Sequence, residues 1–141
     1  MQITCKFASH SHNQVVDFTD HIWTECFSEH LGRWVHLDPC ESVYDYPLLY
    51  EISWSKKLDY TFGLANDGVY DIAKRYTRKW PEVLTRRTLI TESALAGLFC
   101  KLTRESRRSF PPEVISALED RDRREVEALE RDLHPSSNFC S

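Results

Sequence analysis

Polar and apolar residues alternate strictly from His21 to Phe27, with Ile22, Thr24 and Cys26 on one parity and His21, Trp23, Glu25 and Phe27 on the other. That period of two predicts a β-strand. Arg33 to Leu37 repeats the pattern after a break containing Gly32, so the two runs read as an antiparallel hairpin. With Phe27 paired to Gly32 across a four-residue loop, the register sets Trp23 against His36 and His21 directly opposite Asp38, on one face of the sheet.

A second hairpin is expected further on. Leu58 to Leu64 and Val69 to Tyr76 are aromatic-rich runs that flank Ala65-Asn66-Asp67-Gly68, where Asp-Gly suits the positive φ angles of a tight turn. The pattern then changes period. Trp80-Pro81 marks a helix start, since proline fits a first helical turn. A helix from Thr91 or Ser93 to about Ser109 is predicted by Leu95, Leu98 and Leu102, and a further one spans Pro112 to Leu133 with Ile115, Leu118, Val126, Leu129 and Leu133 in line. Asp122 interrupts that last stripe, and Glu119 to Asp132 is mostly acid and arginine, which predicts a solvated helix rather than a coiled coil. Arg86-Arg87 reads as a solvated face. The fold class is therefore α+β, an antiparallel sheet of hairpins followed by C-terminal helices.

Composition narrows the function classes. The chain has 141 residues, a formal charge of −4 and 28% charged residues, a size that fits one domain with a modest core. Charges of both signs are interspersed, which gives no basic footprint for nucleic acid or an anionic membrane. No apolar run approaches the roughly 18 residues of a membrane span, and Met1 to Cys5 lacks the basic and apolar regions of a signal peptide. Five cysteines at irregular spacing agree with reduced thiols, so a cytosolic and possibly nuclear location is expected.

The hairpin face carries the chemistry. A carboxylate opposite an imidazole can hold its tautomer and orientation, as the third member of a nucleophile, base and orienter set does. Trp23, Glu25 and Trp34 share that face with His21 and Asp38 and are expected to line a cleft. The alternative for these residues is an ordinary aromatic sheet face around a structural His–Asp pair. No cysteine stands out as the nucleophile. Cys26 has the wrong parity, Cys40 lies past Pro39 beside the orienter, Cys5 belongs to a polar leader, and Cys100 and Cys140 have no histidine signature near them. His10-Ser11-His12 and the set His21, His36 and Asp38 are weak metal signals, and no metal site is assigned.

Five ordered blocks carry a resemblance: Asp20 to Glu25, Arg33 to Glu41, Pro47 to Glu51, Trp54 to Leu58, and Asp67 to Tyr76. Together they resemble the second half of the catalytic core of the peptide:N-glycanases, transglutaminase-like deglycosylating amidases. Tyr76 to Trp80 and Leu84 to Leu89 are most similar to plant members. The resemblance covers about residues 16–109 and implies a partial transglutaminase-like (papain-like) core. It also implies a Cys–His–Asp amidase that hydrolyses the glycosylasparagine bond, with His21 as general base and acid, Asp38 as orienter, and Trp23, Glu25 and Trp34 toward the substrate. The family's Cys-Gly-Glu-Trp nucleophile motif and its two Cys-x-x-Cys zinc pairs have no match here. No cofactor is therefore expected, and an acid–base pair without its nucleophile, inactive alone.

The expected organisation is an unmatched leader over residues 1–15, the C-terminal half of the core over 16–109, a charged helix over 110–133 and a flexible tail over 134–141. The implied partners are denatured N-glycoproteins and proteasome-linked quality-control factors. Two other outcomes remain: a non-catalytic glycan- or partner-binding module resting on Trp23, Trp34, Trp54 and the acidic helix, or a truncated isoform with an incomplete fold. In the latter, Ile22, Cys26, Val35 and Leu37 would be left uncovered.

Overall fold

The computed structural model describes residues 12–133. Six strands form one antiparallel sheet: β1 (His12–Asp17), β2 (His21–Ser28), β3 (Arg33–Asp38), β4 (Val43–Tyr44), β5 (Thr61–Ala65) and β6 (Gly68–Asp71), in the spatial order β4-β3-β2-β1-β5-β6. Three helices follow, α1 (Trp80–Arg86), α2 (Glu92–Ser106) and α3 (Pro112–Leu133). The α+β architecture of hairpins followed by helices is the one the pattern predicts.

Two features of the strand order differ from expectation. The end of the supposed leader is β1, which pairs with β2 on one side and β5 on the other and so lies in the middle of the sheet. Its alternation, with Asn13, Val15 and Asp17 buried and His12 and Gln14 exposed, is short and half polar. The residues of the leader before His12 lie outside the described residues, as does the expected tail. The β2–β3 register is also shifted by two residues, with Phe27 opposite Trp34 and Glu25 opposite His36. Ser28 and Arg33 close the hairpin, and Gly32 ends its loop at φ +65°, a conformation that costs glycine little. An even shift preserves parity, so every side chain keeps its face.

The inward face of the sheet buries Val15 and Trp23 with Leu49, Tyr50, Leu58, Ile72 and Tyr76. A second cluster of Tyr60, Leu95 and Phe99 joins α2 to the sheet edge. Here the stripe is Leu95 and Phe99, while Leu98 and Leu102 are exposed, because Thr103 bonds the β6 backbone at Val69 and sets the helix rotation. Thr91 caps α2 by accepting from the Ala94 N–H. Arg87, expected on a solvated face, is buried between Asp71 and Glu92. On the outward sheet face Ile22 and Leu64 are exposed, whereas Cys26 is buried.

The Asn66-Asp67 turn does not use positive φ. It is held by side chains: Asp67 accepts from Tyr70 and from Arg121 of α3, and its backbone carbonyl accepts from Arg107, the residue that follows α2. The same chemistry attaches α3 to the rest of the fold. Only Leu129 of α3 is buried, while Arg121 pairs with Asp67, Asp122 with Arg107, Glu125 with Arg75 and Glu130 with Lys74. The helix expected to be solvated is thus strapped down by ion pairs, which alone could not be inferred from its weak apolar stripe. Salt near 1 M shrinks the Debye length to about 3 Å, which screens the more exposed Lys74–Glu130 pair most and the three part-buried pairs less. Raising the salt is therefore expected to speed amide exchange in α3 while β1–β3 keep their protection; equal behaviour of the two regions would show that ionic attachment is not what holds α3.

Candidate active site

The β1–β2 connection fixes where the candidate base sits. Asp17 accepts from Thr19 through both its carboxylate oxygens, the Asp20 N–H returns to the Asp17 carbonyl, and Asp20 adopts φ +79°, which aspartate tolerates better than most residues. The chain then enters β2 at His21. Asp38 is the last residue of β3, and Pro39 to Ser42 form the turn that ends the strand.

Imidazole and carboxylate meet directly. His21 Nε2 lies 2.8 Å from Asp38 Oδ2, with the His21 side chain 19% exposed and the Asp38 side chain fully buried. The contact is diagonal across the shifted register rather than directly opposite, and the separation is still hydrogen-bonded. Asp17, the register partner of His21 on the other side, is turned to Lys56 at 2.7 Å and to Thr19, so Asp38 is the carboxylate that engages the imidazole. With Nε2 committed, Nδ1 is the ring nitrogen left for proton exchange.

Behind Asp38 stands a chain of donors. Tyr50 Oη donates to Asp38 Oδ2 at 2.7 Å, His36 Nε2 lies 2.7 Å from the same hydroxyl, and the Glu41 N–H donates to Asp38 Oδ1 at 3.2 Å. Burial opposes the charge on Asp38, yet the bonds from His21, Tyr50 and Glu41 prevail and hold its carboxyl below the ordinary range. Burial, then the bond to Asp38, pushes the Tyr50 hydroxyl far up, so it stays protonated. Burial likewise lowers His36 and keeps it neutral against the pull of Asp38 and Glu25.

Aromatic rings wall the imidazole. Trp54, Tyr50 and Trp23 lie with centroids 5.0, 5.4 and 5.7 Å from that of His21. Trp54 is 38% exposed and is the indole that faces solvent beside the imidazole. Tyr50 and Trp54 come from a five-residue π-type turn, Leu49–Ser53, and the residue after it. The aromatic density of residues 44–54 signals a packing role, but nothing in its spacing shows that Tyr50 reaches Asp38.

Trp23, Glu25 and Trp34 do not line an opening beside His21. Trp23 stacks on Tyr50 at 4.1 Å and is buried. Glu25 is fully buried, accepting from Arg75, Tyr76 and Asn13, which makes it a structural hub. Trp34 lines a cleft of about 740 Å³ with Ile72, Phe99, Val126 and Leu129. That cleft lies toward the far end of the hairpin: Trp34 pairs with Phe27, six residues beyond His21, or roughly 20 Å along the strand. The sequence shows a shared face; it does not show that α3 and the Ala73–Tyr76 turn cover much of it.

Residues 7–132 match the Rad4 transglutaminase-like domain. The chain belongs to that family. The matched region begins before residue 16 and takes in all of β1, in agreement with the central place of that strand. Among relatives of this transglutaminase-like domain, a peptide-N(4)-(N-acetyl-beta-glucosaminyl)asparagine amidase of Arabidopsis thaliana is 56% identical over 134 residues, covering 95% of this chain and 19% of the relative. Amidases of the same name from Oryza sativa subsp. japonica and Gallus gallus are 49% and 38% identical, over 90% and 99% of this chain. The chain spans between about a fifth and just over a quarter of the length of these relatives.

Within the transglutaminase-like domain neither Cys40 nor Cys100 is hydrogen-bonded to His21, whose ring Nε2 is held by Asp38. Cys26 is buried on the opposite parity, Cys40 is exposed in the turn after β3, and Cys100 is exposed on α2; Cys5 and Cys140 lie outside the described residues. Nor do these thiols fit a structural zinc. They sit singly on separate elements, and no group of three or more His, Cys, Asp or Glu among the described residues is arranged to hold a metal ion. Among those residues no helix is long and apolar enough to cross a membrane.

Proposed function

We propose that this domain supplies the general base and its orienting carboxylate to a cysteine amidase acting on the glycosylasparagine bond of N-glycoproteins. The carrying observation is the 2.8 Å contact between His21 Nε2 and buried Asp38, which leaves Nδ1 for proton transfer at a partly open edge. The activity in the relatives' name supports the choice of bond.

In that reaction His21 Nδ1 takes the proton of a thiol placed beside it, and the thiolate attacks the side-chain amide carbon. The same nitrogen then protonates the amide nitrogen as the carbon–nitrogen bond breaks and the glycosylamine leaves. His21 next draws a proton from water, whose oxygen attacks the thioester, and returns it to the departing sulfur. The peptide is left with an aspartate. Asp38 remains ionised throughout and stabilises the imidazolium. Denatured glycoproteins in the cytoplasm or nucleus, delivered with proteasome-linked factors, are the setting we propose.

Because the Cys-Gly-Glu-Trp nucleophile motif has no match in the sequence, the 141-residue polypeptide is expected to release no glycan from a denatured glycopeptide, read by mass spectrometry. Turnover that survives Cys5→Ala and Cys40→Ala together but is lost in His21→Ala would overturn the account of the missing thiol while keeping the base. A second reading, binding without catalysis, is favoured by one observation, the exposed Trp54 beside the imidazole. Saturable quenching of tryptophan fluorescence by chitobiose that disappears in Trp54→Phe would support it.

A further inference from the structure

The hydrogen bonds behind Asp38 run in one direction, and that direction is set by a backbone group. The Tyr46 N–H donates to His36 Nδ1 at 3.3 Å, so this nitrogen carries no proton and the neutral ring bears it on Nε2. His36 Nε2–H then donates to Tyr50 Oη, 2.7 Å away. The hydroxyl has one proton of its own, and that proton goes to Asp38 Oδ2, also at 2.7 Å. Oδ2 is the oxygen that faces His21 Nε2 as well. Two donors therefore converge on one oxygen atom, while the Glu41 N–H holds the other.

Donors on the same oxygen draw on the same negative charge, and chains of buried hydrogen bonds polarise one another. His36 polarises Tyr50 and makes it a better donor, and Tyr50 in turn moderates how strongly Oδ2 grips the imidazole. The tyrosine ring is also fixed from the side, stacked on Trp23 at 4.1 Å and fully buried. Its hydroxyl thus sits against Oδ2 with little freedom to leave.

We propose that Tyr50, oriented by His36, is a positioning residue for the His21–Asp38 pair: it pins the carboxylate oxygen that accepts from His21 and sets the strength of that bond. The inference rests on the reading of His21 as the base. The Tyr50 hydroxyl and His36 are buried and reach the pair through hydrogen bonds, Tyr50 to Asp38 and His36 to Tyr50, so the effect of that hydroxyl passes through Asp38.

The test is nitrogen and proton NMR of the imidazole rings in the whole, isotopically labelled chain. In the unaltered protein His21 is expected to carry its proton on Nε2, in a hydrogen-bonded resonance. Tyr50→Phe removes one donor at constant ring shape, so Oδ2 accepts more strongly from His21 and the Nε2–H resonance moves downfield. Placing 3-fluorotyrosine at position 50 makes the hydroxyl a stronger donor and is expected to move the same resonance upfield; this second variant keeps the proposal falsifiable if Tyr50→Phe does not fold. Opposite shifts support the proposal, since a purely structural role gives no such sign. An unmoved resonance, or shifts in the same direction, overturns it and leaves the base assignment standing. Finding the His21 proton on Nδ1 in the unaltered chain overturns the base assignment instead.

Discussion

Glu25→Ala is expected to destabilise the folded chain by about 3–5 kcal/mol, the range for removing one partner of a buried ion pair. Glu25 is fully buried, with one carboxylate oxygen accepting from Arg75 Nε at 2.9 Å and Tyr76 Oη at 2.8 Å and the other from Asn13 Nδ2 at 3.1 Å. Truncation to alanine strands all three donors, and Arg75 keeps its charge in a site where only 7% of its surface is exposed. The remaining carboxylate partner is Glu125 of α3, so the surviving pair would hang on a helix that buries one apolar side chain, Leu129. Urea unfolding followed by tryptophan fluorescence measures the cost. A loss below about 1 kcal/mol, the worth of an ordinary net hydrogen bond, would show that Glu125 alone satisfies Arg75 and that Glu25 is not the hub its contacts indicate. Because a marginal domain holds only about 5–15 kcal/mol in total, the expected loss reaches a large share of the whole.

The second large effect is an acid limb below about pH 3.8. Asp38 and Asp67 are both buried, and in each the hydrogen-bond donors outweigh the burial that disfavours charge: His21, Tyr50 and Glu41 for Asp38, Arg121 and Tyr70 for Asp67. Their folded values therefore lie below the ordinary 3.8. A depressed carboxylate contributes stability that is complete above its unfolded value and is lost as pH falls through the folded value. Between those two points the unfolded chain holds a proton that the folded one does not, and stability falls by about 1.4 kcal/mol per pH unit for each such group. Glu125 acts the other way. Its burial raises it above 4.5 despite Arg75, so its contribution is greatest at low pH and fades as pH rises through its folded value. Stability is thus expected to peak just above the acid limb, and Asp67→Asn is expected to flatten that limb by the share of one group. Chemical denaturation at a series of pH values between 2 and 7 gives the curve; a limb of unchanged slope in Asp67→Asn would remove Asp67 from the account.

Both effects belong to residues that the sequence presents with little emphasis. Glu25 is legible as a member of the hairpin face, and parity alone puts it beside Trp23 and Phe27. Its partners Arg75 and Tyr76 lie some fifty positions away in the chain, as the hydrogen bonds record, and no local period connects them. Asp67 reads as a turn residue, which it is, but its φ is ordinary. What fixes it is Arg121, on a helix whose own pattern reads as solvated.

The sequence by itself determined the period of each segment, and with it the α+β class, the hairpin, helix starts at Thr91 or Ser93 and at Pro112, and the face shared by His21 and Asp38. These depend on alternation and on local turn chemistry, and an error of two in the register left the face intact because side chains in a strand repeat every two residues. Tertiary structure alone decided three other things: that His12–Asp17 is a central strand, that Trp23, Glu25 and Trp34 are covered, and that Tyr50 stands between His36 and Asp38. Burial and hydrogen-bond partners across such separations are set by which surfaces meet when the chain closes, and half-polar strands and charged helices leave too weak a periodic trace to show it beforehand.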